Sequence, residues 1–175
     1  MLRLTAPATM TARDATFDDA GTIAEIYNAG LATGAASFDA TPATVDETLE
    51  ELRENVGRYP AIVVTDNERV VAFASASRYR AHPCYDGVAD FSVYVAPDSQ
   101  RRGAGRLALA TLAQRAEGLG LRKLVSRILT DNVASRALCA TLGFREVGVY
   151  ERHGRIDGRW KDCVIVERLL GEAEG

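Results

Sequence analysis

Phe91-Ser-Val-Tyr-Val-Ala-Pro-Asp-Ser-Gln-Arg-Arg-Gly-Ala-Gly-Arg106 runs on into Leu107-Ala-Leu-Ala-Thr-Leu-Ala113. The stretch predicts a buried strand, a short turn, a glycine-bearing loop and a helix. Val88 to Ala96 is almost unbroken apolar sequence, rich in β-branched and aromatic residues, as in a strand covered on both faces. Pro97 ends it, because proline has no N–H for a ladder. From Ala104 onward, small and apolar residues at 104, 107, 108, 112, 116 and 119 make one stripe of an amphipathic helix. Gly118 and Gly120 close it.

Gln100-Arg-Arg-Gly-Ala-Gly105 lies between the two. Gly103 and Gly105 let a ligand approach the backbone. The first N–H groups of the helix have no intrahelical partner and carry the positive end of its dipole, so a diphosphate suits the position. Arg101, Arg102 and Arg106 add charge. The same residues also fit a plain helix entry with a solvated arginine cluster. A Walker loop is excluded, since no Gly-Lys-Ser/Thr follows. A Rossmann fingerprint fails in its glycine register and lacks the acidic residue that ends the following strand.

At 175 residues the chain is long enough for one domain and too short for two ordinary ones. With 47% apolar and 26% charged residues it is globular in composition. A net charge of −3 argues against a general nucleic-acid binder. Cys84, Cys139 and Cys163 have neither zinc spacing nor the pattern of a disulfide framework, and suit reduced thiols in the cytoplasm. His82 and His153 are too few for a typical metal site, so no metal is expected. Residues 1–10 lack the apolar core of a signal peptide. They are expected to be a frayed tail, with Met10 an alternative start; residues 11–170 form the domain and 171–175 a second tail. The expected location is cytoplasmic, with no membrane partner.

Along the chain, Thr11 to Ala15 predicts a short strand. Asp18-Asp19 caps a helix carrying Ile23, Ile26 and Tyr27, which Gly30 stops. Leu31 to Pro42 is a loop holding a lone Phe38. Thr44 and Glu47 form a capping box for a second helix. Ala61–Thr65 and Arg69–Ser77 pair as a hairpin across Asp66-Asn67. Arg78 to Gly87 is a loop. Leu121–Leu129 is a strand, and Asp131 or Asn132 caps a helix running to Leu142. Phe144–His153 and Arg159–Leu169 are strands joined across Gly154–Gly158. The order is βααβββαβαββ, one mixed α/β sheet.

Asp90 is the candidate catalytic base. It interrupts an apolar strand three residues before Val93, where a carboxylate is costly unless paired or used. Bonding to a neighbouring loop or to Arg80 would also explain it, and His82 is an alternative base. Arg78 and Arg80 alternate at a strand end and so should point to one side, where their forks match oxyacids. They also fit surface arginines that neutralise Asp86 and Asp90.

Gln100, Gly103 and Gly105, following Val93-Tyr-Val95, resemble the acetyl-CoA signature of the GNAT N-acetyltransferase superfamily. Asn132-Val-Ala-Ser135 and then Leu142-Gly-Phe144 resemble its second cofactor segment. The resemblance implies a GNAT fold: a central mixed, twisted sheet of about six to seven strands flanked by about four helices. It implies that acetyl-CoA lies in a fork between the fourth and fifth strands, with no metal required. The backbone of Val93, Tyr94 and Val95 would bond the pantetheine arm. The N–H groups of Arg101, Arg102, Gly103, Ala104, Gly105 and Arg106 would cradle the diphosphate. Asn132 would bond the arm and Ser135 the cofactor nearby, although Asn132 also reads as a helix cap. Cys139 stands where the superfamily usually has a tyrosine general acid.

Tyr27-Asn28 resembles the phosphinothricin-type acetyltransferases. Asp86 to Val95, Lys123 to Arg127, Gly143 to His153 and Val164 to Arg168 are similar to the arsinothricin N-acetyltransferase branch. That branch implies Arg78 and Arg80 as the substrate's anion contacts, with Tyr27 and Phe38 beside the acceptor. Each of these two aromatics also suits a purely packing role. The implied reaction is acetylation of the α-amino group of a glutamate-like amino acid, giving resistance. In relatives the last strands form a two-fold dimer; Trp160 on them is expected in the core. Three rivals remain: an acetyltransferase for another amino acid such as methionine sulfoximine, a protein or peptide N-acetyltransferase, and a non-catalytic acetyl-CoA-binding module.

Overall fold

The computed structural model describes residues 10–34, 38 and 41–171. The expected tails at residues 1–9 and 172–175 lie outside the described residues, as do residues 35–37 and 39–40 of the first long loop. Met10, expected in the tail, instead packs against the core.

The elements are β1 (Thr11–Asp14), α1 (Ala20–Leu31), α2 (Val45–Asn55), β2 (Ala61–Asp66), β3 (Arg69–Arg78), β4 (Val88–Val95), α3 (Ala104–Gly118), β5 (Lys123–Leu129), α4 (Val133–Thr141), β6 (Arg145–Ile156) and β7 (Arg159–Leu169). This is the order read from the sequence, and the described strands form one sheet, β1-β2-β3-β4-β5-β7-β6. All pairings are antiparallel except β4 with β5.

Local chemistry sets most boundaries. The Thr44–Glu47 capping box starts α2, with both of its hydrogen bonds formed. Asp19 is the N-cap residue of α1, as expected, but its side chain makes no cap bond to that helix. It is buried and salt-bridged to Arg13, and Thr16 opens the 3-10 turn that precedes α1. Asn132 caps α4 by accepting from the Ser135 N–H at 3.1 Å. The last hairpin turns on Asp157-Gly158 alone, both at positive φ, tighter than the five-residue connection expected.

Two cores cover the sheet. On one face Phe91, with Val93 and Val95, packs against Ala104, Ala108, Leu109 and Leu112 of α3. On the other, Phe73 and Tyr94 pack with Ile23 and Ile26 of α1. The two sets of β4 side chains alternate, as a pleated strand requires. Asp90 therefore shares the α1 face with Ser92 and Tyr94. Leu119, expected on the buried stripe of α3, is exposed just beyond its last residue. Trp160, expected in the core, is 57% exposed on the outer hairpin, where the Arg155 guanidinium lies 5.3 Å over its ring.

Candidate active site

The parallel pairing of β4 with β5 lasts only from Val88↔Lys123 to Asp90↔Val125. Beyond Asp90 the strands part, while β4 continues beside β3 as far as Ala72↔Val95. The Ala96 N–H donates to the Val71 carbonyl, which makes 96↔71 a hydrogen-bonded pair of the antiparallel ladder. Pairs in such a ladder alternate, so Tyr94 turns its peptide groups to β3, and Val93 and Val95 turn theirs toward the gap. Of the three backbone positions expected to meet a pantetheine arm, two face the opening and Tyr94 does not.

A cavity of about 1360 Å³ occupies this region. Phe91 and Val93 line it from the α3 face, and Asp90, Ser92 and Tyr94 from the α1 face. The opening thus passes through the sheet where β4 and β5 separate. Asn132, Ser135 and Cys139 of the α4 segment line it as one helical stripe.

At the head of α3, Gly103 is the N-cap residue with φ of 92°, and Arg101 is also left-handed at 59°. Among the described residues no side chain caps the helix, and its first turn carries no acid. The first i→i−4 bond is Leu107 N–H to the Gly103 carbonyl, so the preceding amides have no intrahelical acceptor. A Cβ on Gly105 would lie 3.1 Å from Val95 Cγ2 and 3.4 Å from Leu138 Cδ2. Glycine here lets the helix head sit against the strand edge. Strand gap, uncapped helix head and polar α4 stripe together fit a long thioester cofactor with a diphosphate: Val93, Val95, Asn132 and Ser135 for the arm, and the amides from Arg101 to Arg106 for the phosphates.

Asp90 is half-buried on the cavity wall, and Arg127 Nη2 lies 3.4 Å from its Oδ2. Burial lifts its carboxyl above the usual range, while the Arg127 and Arg80 guanidiniums pull it partly back. Tyr27 lines the same cavity, its ring edge-on to Tyr94 at 5.1 Å; Tyr94 stacks on Phe73 at 5.3 Å. Phe38 also lines it, edge-on to His153 at 5.8 Å and seated on Gly154, where a Cβ would fall 2.4 Å from its ring. Cys139 is buried, and that burial pushes its thiol up to about 11.

The expectation for Arg78 and Arg80 needs correction. β3 stops at Arg78, so Arg80 is a loop residue and the two do not alternate along one strand. Arg78 pairs with Ala89, which belongs to the α3 face, whereas Asp90 is on the other. Neither lines the main cavity. Arg78 Nε donates to the Arg80 carbonyl at 3.2 Å, and the Arg80 guanidinium lies over the rings of Tyr79 and Tyr85. His82, the alternative base, lies in a separate hollow with Arg80 and Tyr85. Arg102 is turned to Asp66 at 2.9 Å.

Sequence reasoning missed Arg127 as a site residue. The signal was weaker than for Asp90, because Arg127 lies in a strand that also carries Lys123 and Ser126.

Residues 25–144 match the model of the acetyltransferase (GNAT) family, and the chain belongs to that family. It is accordingly an N-acetyltransferase that uses acetyl-CoA. It is 34% identical over 163 residues to a phosphinothricin N-acetyltransferase of Alcaligenes faecalis, covering 90% of this chain and 81% of that protein. It is 33% identical over 165 residues to an L-methionine sulfoximine/L-methionine sulfone acetyltransferase of Salmonella typhimurium, covering 93% and 96%. Among solved structures, a phosphinothricin acetyltransferase from Sinorhizobium meliloti in complex with acetyl-CoA superposes with a TM-score of 0.88 at 32% identity, covering 95% of this chain and 91% of that one.

Proposed function

We propose that this acetyltransferase modifies the α-amino group of a small glutamate-like amino acid of the phosphinothricin or arsinothricin type, and that the modification confers resistance. The observation that carries the reading is Asp90: a half-buried carboxylate on the cavity wall, in the fields of two arginines, where the strands part. Acetyl-CoA, when bound, supplies the activated acyl group. Asp90 receives a proton from the incoming ammonium, directly or through one water, since its side chain is short. The peptide N–H groups at Val93 and Val95 are suited to steady charge on the acyl oxygen. Cys139 stays a neutral thiol near neutral pH, so it does not act as a nucleophile.

The arginines around Asp90 suit an anionic acceptor. Arg80 lies outside the main cavity but acts on the charge of Asp90. In this proposal it meets the acceptor's anionic head at the cavity rim by leaving its stack on Tyr79 and Tyr85, and Arg78 acts through the Arg80 carbonyl to which it donates. Tyr27 and Phe38 form the apolar sides. Replacing Arg80 by Ala should raise KM for the amino acid by one to two decades, with a smaller rise for Arg78→Ala and little change in KM for acetyl-CoA. An equal rise for both substrates would contradict the assignment.

Methionine sulfoximine stays a second candidate acceptor, because relatives named for it are as similar as those named for phosphinothricin. A thiol-release assay with phosphinothricin, arsinothricin, methionine sulfoximine and a basic peptide separates the readings. The proposal expects the highest kcat/KM for one of the two oxyacid amino acids; preference for the peptide would overturn it.

We also infer one acetyltransferase domain over residues 11–170, a cytoplasmic location and a two-fold dimer. No described helix is long and apolar enough to cross a membrane. β6 is exposed along nearly its whole length, and Val147, Val149, Tyr150 and Trp160 expose apolar surface on the outer hairpin. Light scattering of the parent and of Tyr150→Glu tests the dimer; a monomeric parent would refute it.

A further inference from the structure

We propose that Arg127 is the specificity-determining residue that receives the α-carboxylate of the acceptor. This deepens, and rests on, the reading of the chain as an amino-acid N-acetyltransferase.

Asp90 and Val125 are directly opposite in the parallel pair. Arg127 is two residues farther along β5, hence on the same sheet face. It lines the cavity with Asp90, and its side chain is 49% exposed. A guanidinium carries five N–H donors. Among the described residues Arg127 uses one of them, to Asp90 at 3.4 Å. That is longer than a closed charge-assisted bond of about 2.7–2.9 Å, so the fork keeps capacity for a second anion. Two other arginines line the cavity. Arg115 is paired with Asp14 at 3.0 Å. Arg155, on the last hairpin, is turned to its own turn: Nη2 donates to the Gly158 carbonyl at 3.0 Å, and the guanidinium lies over Trp160.

The acceptor's own geometry completes the argument. In an α-amino acid, one carbon separates the carboxylate from the amine. A carboxylate on the Arg127 fork therefore brings the amine to the neighbouring Asp90 oxygen and leaves the side chain to reach away along the cavity. A primary amine lacking the carboxylate would lose that registration. Position and base would thus be read by one pair of adjacent side chains.

The test compares the parent, Arg127→Met and Arg127→Lys on the best amino acid of the acceptor panel and on its α-methyl ester, by thiol release. Arg127→Met should raise KM for the free acid about ten- to hundredfold. KM for the ester and for acetyl-CoA should stay within about threefold, so that the parent's preference for acid over ester disappears. Arg127→Lys should restore part of that preference. If Arg127 only neutralises Asp90, acid and ester lose by the same factor, and the proposal falls. A parent that acetylates amino acids while Arg127→Met keeps the acid preference also overturns this inference and leaves the proposed function standing. A parent that acetylates no α-amino acid overturns both.

Discussion

Asp66, at the end of β2, and Arg102, in the loop before α3, form an ion pair of 2.9 Å that ties the helix head to the β2–β3 turn. Asp66 is buried, and its second oxygen has no hydrogen-bond partner among the described residues. Arg69 and Asp98 join the same two segments at 2.8 Å. Arg102 thus serves here as a staple of the loop, while Arg101 and Arg106 have no such tie among the described ion pairs.

Removing Arg102 alone should leave a buried carboxylate unpaired. Arg102→Ala is expected to lower stability by about 1–3 kcal/mol, moderated because the arginine is itself half exposed. Adding Asp66→Asn should recover much of that loss, since both changes remove one contact. Denaturant melts of the two single variants and the double variant give the cycle; additive losses would show that the residues act separately.

Asp90→Asn should lower kcat/KM at pH 8 by at least about a hundredfold, the range for a lost general base. Loss of less than threefold would remove Asp90 from the role. The base works ionised, and burial raises its pKa, so the acid limb of the kcat/KM profile should lie above the ordinary aspartate range. Arg127 stabilises the ionised form, so Arg127→Met should move that limb to higher pH.

Gly105→Ala would press a methyl group to 3.1 Å from Val95 Cγ2. We expect the helix head to shift off the strand, KM for acetyl-CoA to rise several-fold, and stability to fall by about 1–3 kcal/mol. Val95→Ala in the same chain opens the space and should restore part of both. Steady-state kinetics and thermal melts test this.

Asp19 accepts from Arg13 at 2.7 and 2.8 Å and from the Thr16 N–H at 2.7 Å. The Arg13 hydrogen bonds hold its carboxyl below the usual range against the opposing effect of burial. A carboxyl lowered by folding stabilises the native state above the unfolded pKa, near about 4, and that contribution is lost as pH falls through the folded value. Asp19→Asn should therefore cost about 1–3 kcal/mol at pH 7, and the difference from the parent should shrink in acid. Urea titrations across pH read it directly.

Thiol titration should find one fast-reacting cysteine in the native protein. Cys84 is exposed, while Cys139 and Cys163 are buried and burial pushes both thiols up. Denaturation should release the other two. Rapid native labelling of Cys139 would contradict its described burial.

The sequence by itself determined the features that short-range chemistry controls. The strand from Val88, its stop at Pro97, the glycine-bearing loop and α3 are legible because a period, a missing N–H or an uncapped helix head is encoded within a few residues. The Thr44–Glu47 box and the Asn132 cap are local in the same way. Only the tertiary structure decided which side chains meet. Trp160 is exposed because its hairpin is outermost in the sheet, a matter of strand order. Arg78 and Arg80 part company because β3 ends between them. Asp90 meets Arg127 because the parallel pairing of β4 and β5 fixes their faces and then stops, and Asp66 meets Arg102 across a separation that no local pattern spans. Faces and partners follow from register between distant segments, and register is set by how the whole sheet buries its two cores.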